Sequence, residues 1–475
     1  MRLYHYRPIE SALLEIGEGT LHFATREELN DPIEGYVSVF WKGDKAAWEG
    51  LFRNYICSVN QALHLYLLQG NEDMIHHRTL IVDLHGFDDV PYGGILKELG
   101  DAFLADEEIQ RLAGFYGHHR LKVQEKELRL ILSSIHKKTI SLCIQKCADC
   151  KMIPSKEVDE FLETPGDLKK MPFPFSSMEE EFPDDKQRAT IAELAGSLSE
   201  DMMEGEYIKF GLDDETFLYG KRFNVNGKQI KENDKLTTRQ RRNWMSIVVD
   251  FPKVYIDQMK DMIYPESYVV CFSGKNDDSA MWGNYADGHQ GVCLIYETDE
   301  ANAMHFKKYN ATLYVKPVSY GGDLLERNFF ESFGRLNMGQ IATWLTGTEG
   351  LSSCHDVFSD VQAWRAKYWE TSDAKTYRKL KTWEHENEYR LALTDMLDQF
   401  SEPEKRNIPY DYKALKGVIF GINTSEYDKK RIVEALLDHA DELTDFAFYQ
   451  AEYDSELQKI KVRKKSFWEL NKVEL

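Results

Sequence analysis

Strand-like sequence lies at both ends of this chain and helix-like sequence fills the middle. That order leaves two solutions: separate domains, or one sheet assembled from both ends around an insertion. The opening reads as strand, helix, strand in "RLYHY", "ESALLEIGEG" and "TLHFAT", followed by the turn "NDPIEG". From about residue 41 to 264 a helical period takes over, as in "KVQEKELRLILSSIHKKTISLCIQK" and "DKQRATIAELAGSLSEDMM". Within it, residues 165–183 hold four of the chain's thirteen prolines and read as a loop or linker. After residue 265 short β-rich runs return: "SYVVCFS", "GVCLIY", "KPVSY", "EYRLAL", "GVIFG" and "FAFYQAEY". "NTSEYDKKRIVEALLDHA" starts on a capping residue and reads as one amphipathic helix. The simplest organisation is an α+β core of residues 1–40 and 265–475, interrupted by a mainly helical insertion, 41–264.

At 475 residues the chain is too long for one ordinary core, and 42% apolar with 29% charged residues is a soluble composition. "MRLYHYRPIE" lacks the apolar run of a signal peptide, and no stretch of eighteen apolar residues exists, so a cytoplasmic location is expected. Seven cysteines fit a reducing compartment better than a disulfide framework. A net charge of −21 argues against broad nucleic-acid binding. One local exception is the run 221–242, with eight Lys/Arg, Arg239, Arg241 and Arg242 among them, against Glu232 and Asp234. It suits a solvated basic face, or a landing strip for a polyanionic substrate.

Some signals resemble chemistry without requiring it. Cys143, Cys147 and Cys150 have a spacing that can hold an iron–sulfur cluster, but i, i+4, i+7 is also one face of a helix, and the core stripe is the better reading. The pairs His76-His77 and His118-His119 diverge by about 100° on a helix, so neither makes a two-ligand face and no metal is expected. H-E-x-x-H, the P-loop and G-x-S-x-G are all missing.

Three stretches carry the functional argument. In "YHYR", His5 faces away from Tyr4 and Tyr6; it can donate to a ligand or serve as a core histidine. In "CFSGKNDDSAMWGNYADGHQGVCLIY", Met281, Trp282, Tyr285 and His289 fall at helical spacing before glycines break the pattern. Tyr285 can stack on a flat heterocycle or simply pack the helix, while Trp282 reads as core. In "KTWEHENEYRLAL", residues 381–393, Tyr389, Leu391 and Leu393 alternate with Arg390 and Ala392, so Glu386 and Glu388 point the same way from the strand's leading edge. Neither glutamate has a lysine beside it in sequence, and like charges so close raise one pKa of the pair.

In this order, "NDPIE", "MWGNYADGHQG" and "WEHENEYR" resemble a widespread bacterial family, domain of unknown function 2971. The resemblance covers roughly residues 1–36 and 265–465, including "GVIFGINTS" and "FYQAEYDSELQKIKV". That family's layout is in turn similar to the ADP-ribosyltransferase fold, which implies a split β core binding NAD. Carried over, the resemblance implies that His5, with Tyr6 beside it, holds NAD, and that Tyr285 or Tyr320 stacks on nicotinamide. Glu388 would orient the ribose, Asn30 and Asp31 would lie on the NAD-holding loop, and Glu386 would orient or deprotonate the acceptor. The implied function is an NAD-dependent ADP-ribosyltransferase acting on nucleic acid or protein, a toxin-like effector in bacterial anti-phage defence with an immunity or regulatory partner. Arg239, Arg241 and Arg242 would meet the acceptor. Two alternatives stand beside it. One is a metal-dependent nuclease using Asp31, Glu386 and Glu388, which lacks the usual E-x-K lysine. The other is a non-catalytic nucleotide-sensing or partner-binding module.

Overall fold

The computed structural model describes residues 1–69, 79–84, 91–118, 121–152, 246–306, 310–354 and 359–465. The basic run with Arg239, Arg241 and Arg242, the proline-rich stretch and the pair His76-His77 lie outside the described residues. The protein is a mixed α+β chain in two compact units. One comprises Met1–Val37, Pro265–Leu325 and Trp369–Leu475; the other comprises Ser38–Tyr264 and Glu326–Tyr368. One cut thus falls where the sequence changes period. The helical unit also takes Glu326–Tyr368, which the sequence reading gave to the core. The reason is a long-range pairing: Glu326–Asn328 pairs in parallel with Ser38–Trp41, and Phe329, Phe330 and Trp344 join that unit's aromatic core.

In the helical unit, the Lys45–Gln69 helix lies among the helices Pro91–Leu104, Glu107–His118, Glu125–Asp149 and Met338–Leu345. Cys143 and Cys147 are buried on the Glu125–Asp149 helix, whereas Cys150, at its C-cap, is exposed. The core stripe expected from the spacing therefore holds for Cys143 and Cys147 and fails for Cys150, because the helix ends before it. His136 on the same helix is buried between the Tyr55 hydroxyl and the Ile247 carbonyl, and burial pushes its pKa down to about 4.

The other unit is built on an eight-stranded sheet. Its strands in chain order are β1 (Arg2–Arg7), β2 (Glu266–Ser273), β3 (Val292–Glu297), β4 (Lys316–Pro317), β5 (Glu388–Asp395), β6 (Leu415–Phe420), β7 (Ala447–Asp454) and β8 (Lys459–Lys464). Across the sheet they run β8-β7-β6-β3-β1-β2-β5-β4, so β1 from the chain start is central and flanked by later strands. All pairings are antiparallel except β6 with β7. A parallel pair needs a crossover, and the Glu426–Leu437 helix supplies it.

The register decides what faces what. On one side Leu3, Phe272, Leu294, Leu391, Val418 and Phe448 form a core covered by Ala12 and Ile16 of the Ile9–Glu18 helix and by Ile432 and Leu436. That first helix stops at Gly19, whose φ of 62° is left-handed and whose N–H caps the Ile16 carbonyl. The opposite side carries a smaller cluster of Tyr6, Cys293, Ile295, Ile419 and Ala451, capped by Met281 and Trp282 of the short Ser279–Tyr285 helix. Beyond that cluster, toward β5, the same side turns polar.

Candidate functional site

Directly opposed residues of an antiparallel pair share a face. Tyr4 opposes Ser273 and Ser273 opposes Glu388; Cys271 opposes Arg390. Glu388 and Arg390 therefore leave the sheet on the side of the Trp282 cluster. Glu386 reaches the same place by a different route. It closes a short 3-10 turn, Lys381–Glu386; Asn387 then takes a left-handed conformation (φ 45°, ψ 54°), and Glu388 opens β5. The Ser273 hydroxyl donates to the Glu386 carbonyl at 2.7 Å, and the Glu388 N–H donates to the Tyr320 hydroxyl at 2.6 Å.

A lysine holds the two carboxylates together. Lys379 Nζ lies 2.7 Å from Glu386 Oε2, 3.2 Å from Glu388 Oε2 and 3.5 Å from Glu34 Oε2, and sits 5.0 Å from the centre of the Trp383 ring. Arg390 completes the network: its Nε donates to Glu388 Oε1 at 2.5 Å, its Nη1 to the Thr376 carbonyl at 2.7 Å, and its Nη2 pairs with Glu34. None of these five charged side chains is more than 5% exposed. The sequence offered no lysine next to either glutamate; the fold supplies one from the strand-like residues just before the 3-10 turn.

The charges respond accordingly. Burial works against the Lys379 ammonium, but Glu388, Glu34 and Glu386 outweigh it and hold the lysine protonated. Burial alone would raise the Glu388 carboxyl; Arg390 and Lys379 win and hold it below the usual carboxylate range. Mutual repulsion was expected to raise one of the glutamate pair, and the two cations reverse that for Glu388. Glu34 behaves oppositely, its carboxyl raised because burial exceeds the pull of Arg390 and Lys379. The sequence reading missed Lys379, Arg390 and Glu34. Two signals were available: Arg390 stands two residues after Glu388 on the same strand face, and Glu34 belongs to the "NDPIEG" turn.

That turn also delivers Asn30 and Asp31. Asp31 is buried and its carboxylate accepts from Trp383 Nε1 at 2.9 Å and from the Ile33 N–H at 2.9 Å. Asn30 is exposed, its amide donating to the Tyr285 hydroxyl and its carbonyl 3.4 Å from Lys379. Tyr285 donates in turn to Glu386 Oε1 at 2.5 Å. Burial, then the hydrogen bond to Glu386 and that residue's charge, pushes the Tyr285 phenol up; burial raises Tyr320 to about 12.

His5 and Tyr6 are placed elsewhere. His5 points to the other side of the sheet, where its Nδ1 lies 3.0 Å from Glu15 Oε1, a carboxylate also bound by Arg7 at 2.9 Å and Tyr296 at 2.6 Å. Burial lowers the His5 pKa. The alternation along β1 that sets His5 apart from Tyr4 and Tyr6 also sets it apart from Glu388. Tyr6 is on the correct side but is buried, its hydroxyl donating to the Lys275 carbonyl at 2.9 Å and its ring edge-on to Trp282. Fold and site thus bring Asn30, Asp31, Tyr285, Glu386 and Glu388 together and leave His5 out.

They define an α+β protein with a buried carboxylate–ammonium cluster at the end of a central sheet. Residues 281–391 match the model of a family described as protein of unknown function (DUF2971). The matched segment contains Tyr285, Tyr320, Lys379, Trp383, Glu386, Glu388 and Arg390. No curated protein and no solved structure matches the chain. No helix among the described residues is long and apolar enough to cross a membrane.

Proposed function

We propose that the protein is an NAD-dependent ADP-ribosyltransferase acting on a macromolecular acceptor, built on an ADP-ribosyltransferase-type core. The observation that supports this most is a single hydrogen-bonded network. Asn30, Tyr285 and the pair Glu386 and Glu388, three separate stretches of sequence each implied for the reaction by the family resemblance, all belong to it. The donor set fits a ribose, because ionised carboxylates held by cations accept from vicinal hydroxyls. Bound NAD would supply a glycosidic bond whose cleavage leaves positive charge on the ribose. Glu388, fixed by Arg390 and Lys379, stabilises that charge, and Glu386 serves the acceptor. His5 has no direct part and ties β1 to the Ile9–Glu18 helix through Glu15.

The metal-dependent nuclease reading loses support on geometry. Of its three acids, Asp31 is engaged by Trp383 Nε1 and the Ile33 N–H, and Lys379 Nζ lies against both Glu386 and Glu388, the place a divalent cation would need. Acceptor recognition by Arg239, Arg241 and Arg242, outside the described residues, remains part of the proposal, as does a toxin-like role in defence. Purified protein incubated with NAD is expected to release nicotinamide. Absence of both NAD binding and release from folded protein overturns the reading. Charge reversal at the three arginines should reduce acceptor labelling and spare nicotinamide release.

A further inference from the structure

Tyr285 is the one aromatic residue of the cluster whose hydroxyl meets a carboxylate. Its side chain packs, partly buried, against the apolar cluster that includes Tyr6, Met281 and Trp282. Its oxygen donates to Glu386 Oε1 at 2.5 Å and accepts from the Asn30 amide. Glu386 is held from the other oxygen by Lys379 at 2.7 Å and is only 3% exposed on its side chain. The Tyr285 hydroxyl covers the Glu386 oxygen that Lys379 leaves, so an acceptor arriving from solvent meets the phenol before the carboxylate. Tyr285 is half-buried and Asn30 exposed, so the phenol bridges the two environments. Tyr320 is arranged differently: its oxygen accepts the backbone N–H of Glu388 and serves to fix that residue.

Building on the transferase reading, we propose that Tyr285 is a proton relay between the acceptor and Glu386, and not a platform for the nicotinamide ring. A phenol suits the task because it has one proton to give and a second lone pair to receive another. The acceptor's O–H or N–H gives its proton to the Tyr285 oxygen as the phenol proton passes to Glu386. The acceptor atom bonds to the ribose carbon while the bond to nicotinamide breaks, its electron pair leaving with nicotinamide, which departs neutral. Glu386 later returns one proton to solvent, so each transfer releases one nicotinamide and one proton. Asn30, bound to the same oxygen, is a positioning residue that sets the phenol's rotation.

The test compares Tyr285→Phe with Tyr285→Ala, using NAD with water as acceptor, and adds NMR titration of tyrosine-labelled protein. A relay requires that Tyr285→Phe lower kcat for nicotinamide release about 10²-fold or more with KM little changed. The label at Tyr285, identified by its loss in Tyr285→Phe, should resist ionisation in the wild type and titrate at lower pH in Glu386→Gln. A Tyr285→Phe enzyme as active as wild type, with only Tyr285→Ala impaired through KM, overturns the relay in favour of stacking. An unmoved Tyr285 titration in Glu386→Gln overturns it independently of any turnover. A wild type that releases no nicotinamide overturns the parent reading itself.

Discussion

Lys379 Nζ lies 2.7 Å from Glu386 Oε2, with each side chain only 3% exposed. The pair is the hinge of the whole cluster, because the same ammonium also meets Glu388 and Glu34. Removing one partner of a buried ion network strands the others, whose desolvation is then uncompensated. Lys379→Met is therefore expected to destabilise the protein by about 3–5 kcal/mol, with Lys379→Arg costing less. Urea unfolding measures it. A loss below about 1 kcal/mol would show that the carboxylates find other partners or bind protons cheaply.

The two glutamates should separate in kinetics. Glu388→Gln removes the charge placed against the developing ribose cation, and kcat for nicotinamide release is expected to fall roughly 10²- to 10³-fold. Glu386→Gln removes the base on which the proposed relay ends, so it should lower nicotinamide release to water about as much as Tyr285→Phe does and depress transfer to a macromolecular acceptor further, because water needs less positioning. Nicotinamide release and acceptor labelling, measured in parallel, decide it. Unchanged nicotinamide release in Glu388→Gln would remove that residue from the chemistry.

Stability should fall in acid, and the sign follows from the direction of each shift. Glu15 is buried, which alone would raise its carboxyl, but His5, Arg7 and Tyr296 outweigh burial and hold it at about 2. Glu388 is also depressed. Depressed carboxyls contribute stability above their unfolded value and lose it as pH falls through the folded one. Glu34, raised by burial, acts in the opposite sense: its contribution is present at low pH and fades as pH rises through its folded value. Between the ordinary carboxylate range, 4.5, and about 2, the urea midpoint should drop steadily, and Glu15→Gln should flatten that limb. An acid limb as steep in Glu15→Gln as in wild type would assign the loss to other groups.

The sequence carried the fold's periods and the residues Asn30, Asp31, Tyr285, Glu386 and Glu388 that the structure brings together, but not Lys379, Arg390 and Glu34, which wire them to one another. Strand alternation was legible in "EYRLAL" because Tyr389, Leu391 and Leu393 turn to the apolar core while Glu388 and Arg390, also buried, take the other face, and the helical middle was legible from its own period. Glu326–Tyr368 was misassigned because its pairing partner, Ser38–Trp41, is nearly three hundred residues away, and no local pattern records such a pairing. The same limit hid Lys379. A lysine seven residues before Glu386 is unremarkable until the Lys381–Glu386 turn folds it back onto the carboxylates. His5 shows the converse. Its alternation was read correctly, yet which face of β1 meets Glu388 depends on the register of β2 between them.

One further position joins backbone geometry to the site. Asn387 separates the two glutamates in a left-handed conformation, φ 45°, and its carbonyl accepts the Gly274 N–H at 2.8 Å. Asparagine and glycine tolerate that region; other residues pay roughly 1–2 kcal/mol, and β-branched ones the most. Asn387→Gly should leave the Glu386–Lys379 and Glu388–Lys379 contacts in place, with stability within about 1 kcal/mol and activity close to wild type. Asn387→Val should relieve its strain by rotating toward extended backbone. That swings the Glu386 end of the turn away from Lys379 while Glu388 stays fixed by β5. Such a variant is expected to be less stable by about 1–2 kcal/mol and to lose acceptor transfer more than nicotinamide release. Unfolding midpoints and the two kinetic readouts on both variants test it. Equal behaviour of Asn387→Gly and Asn387→Val would show that the left-handed link does not set the spacing of the carboxylates.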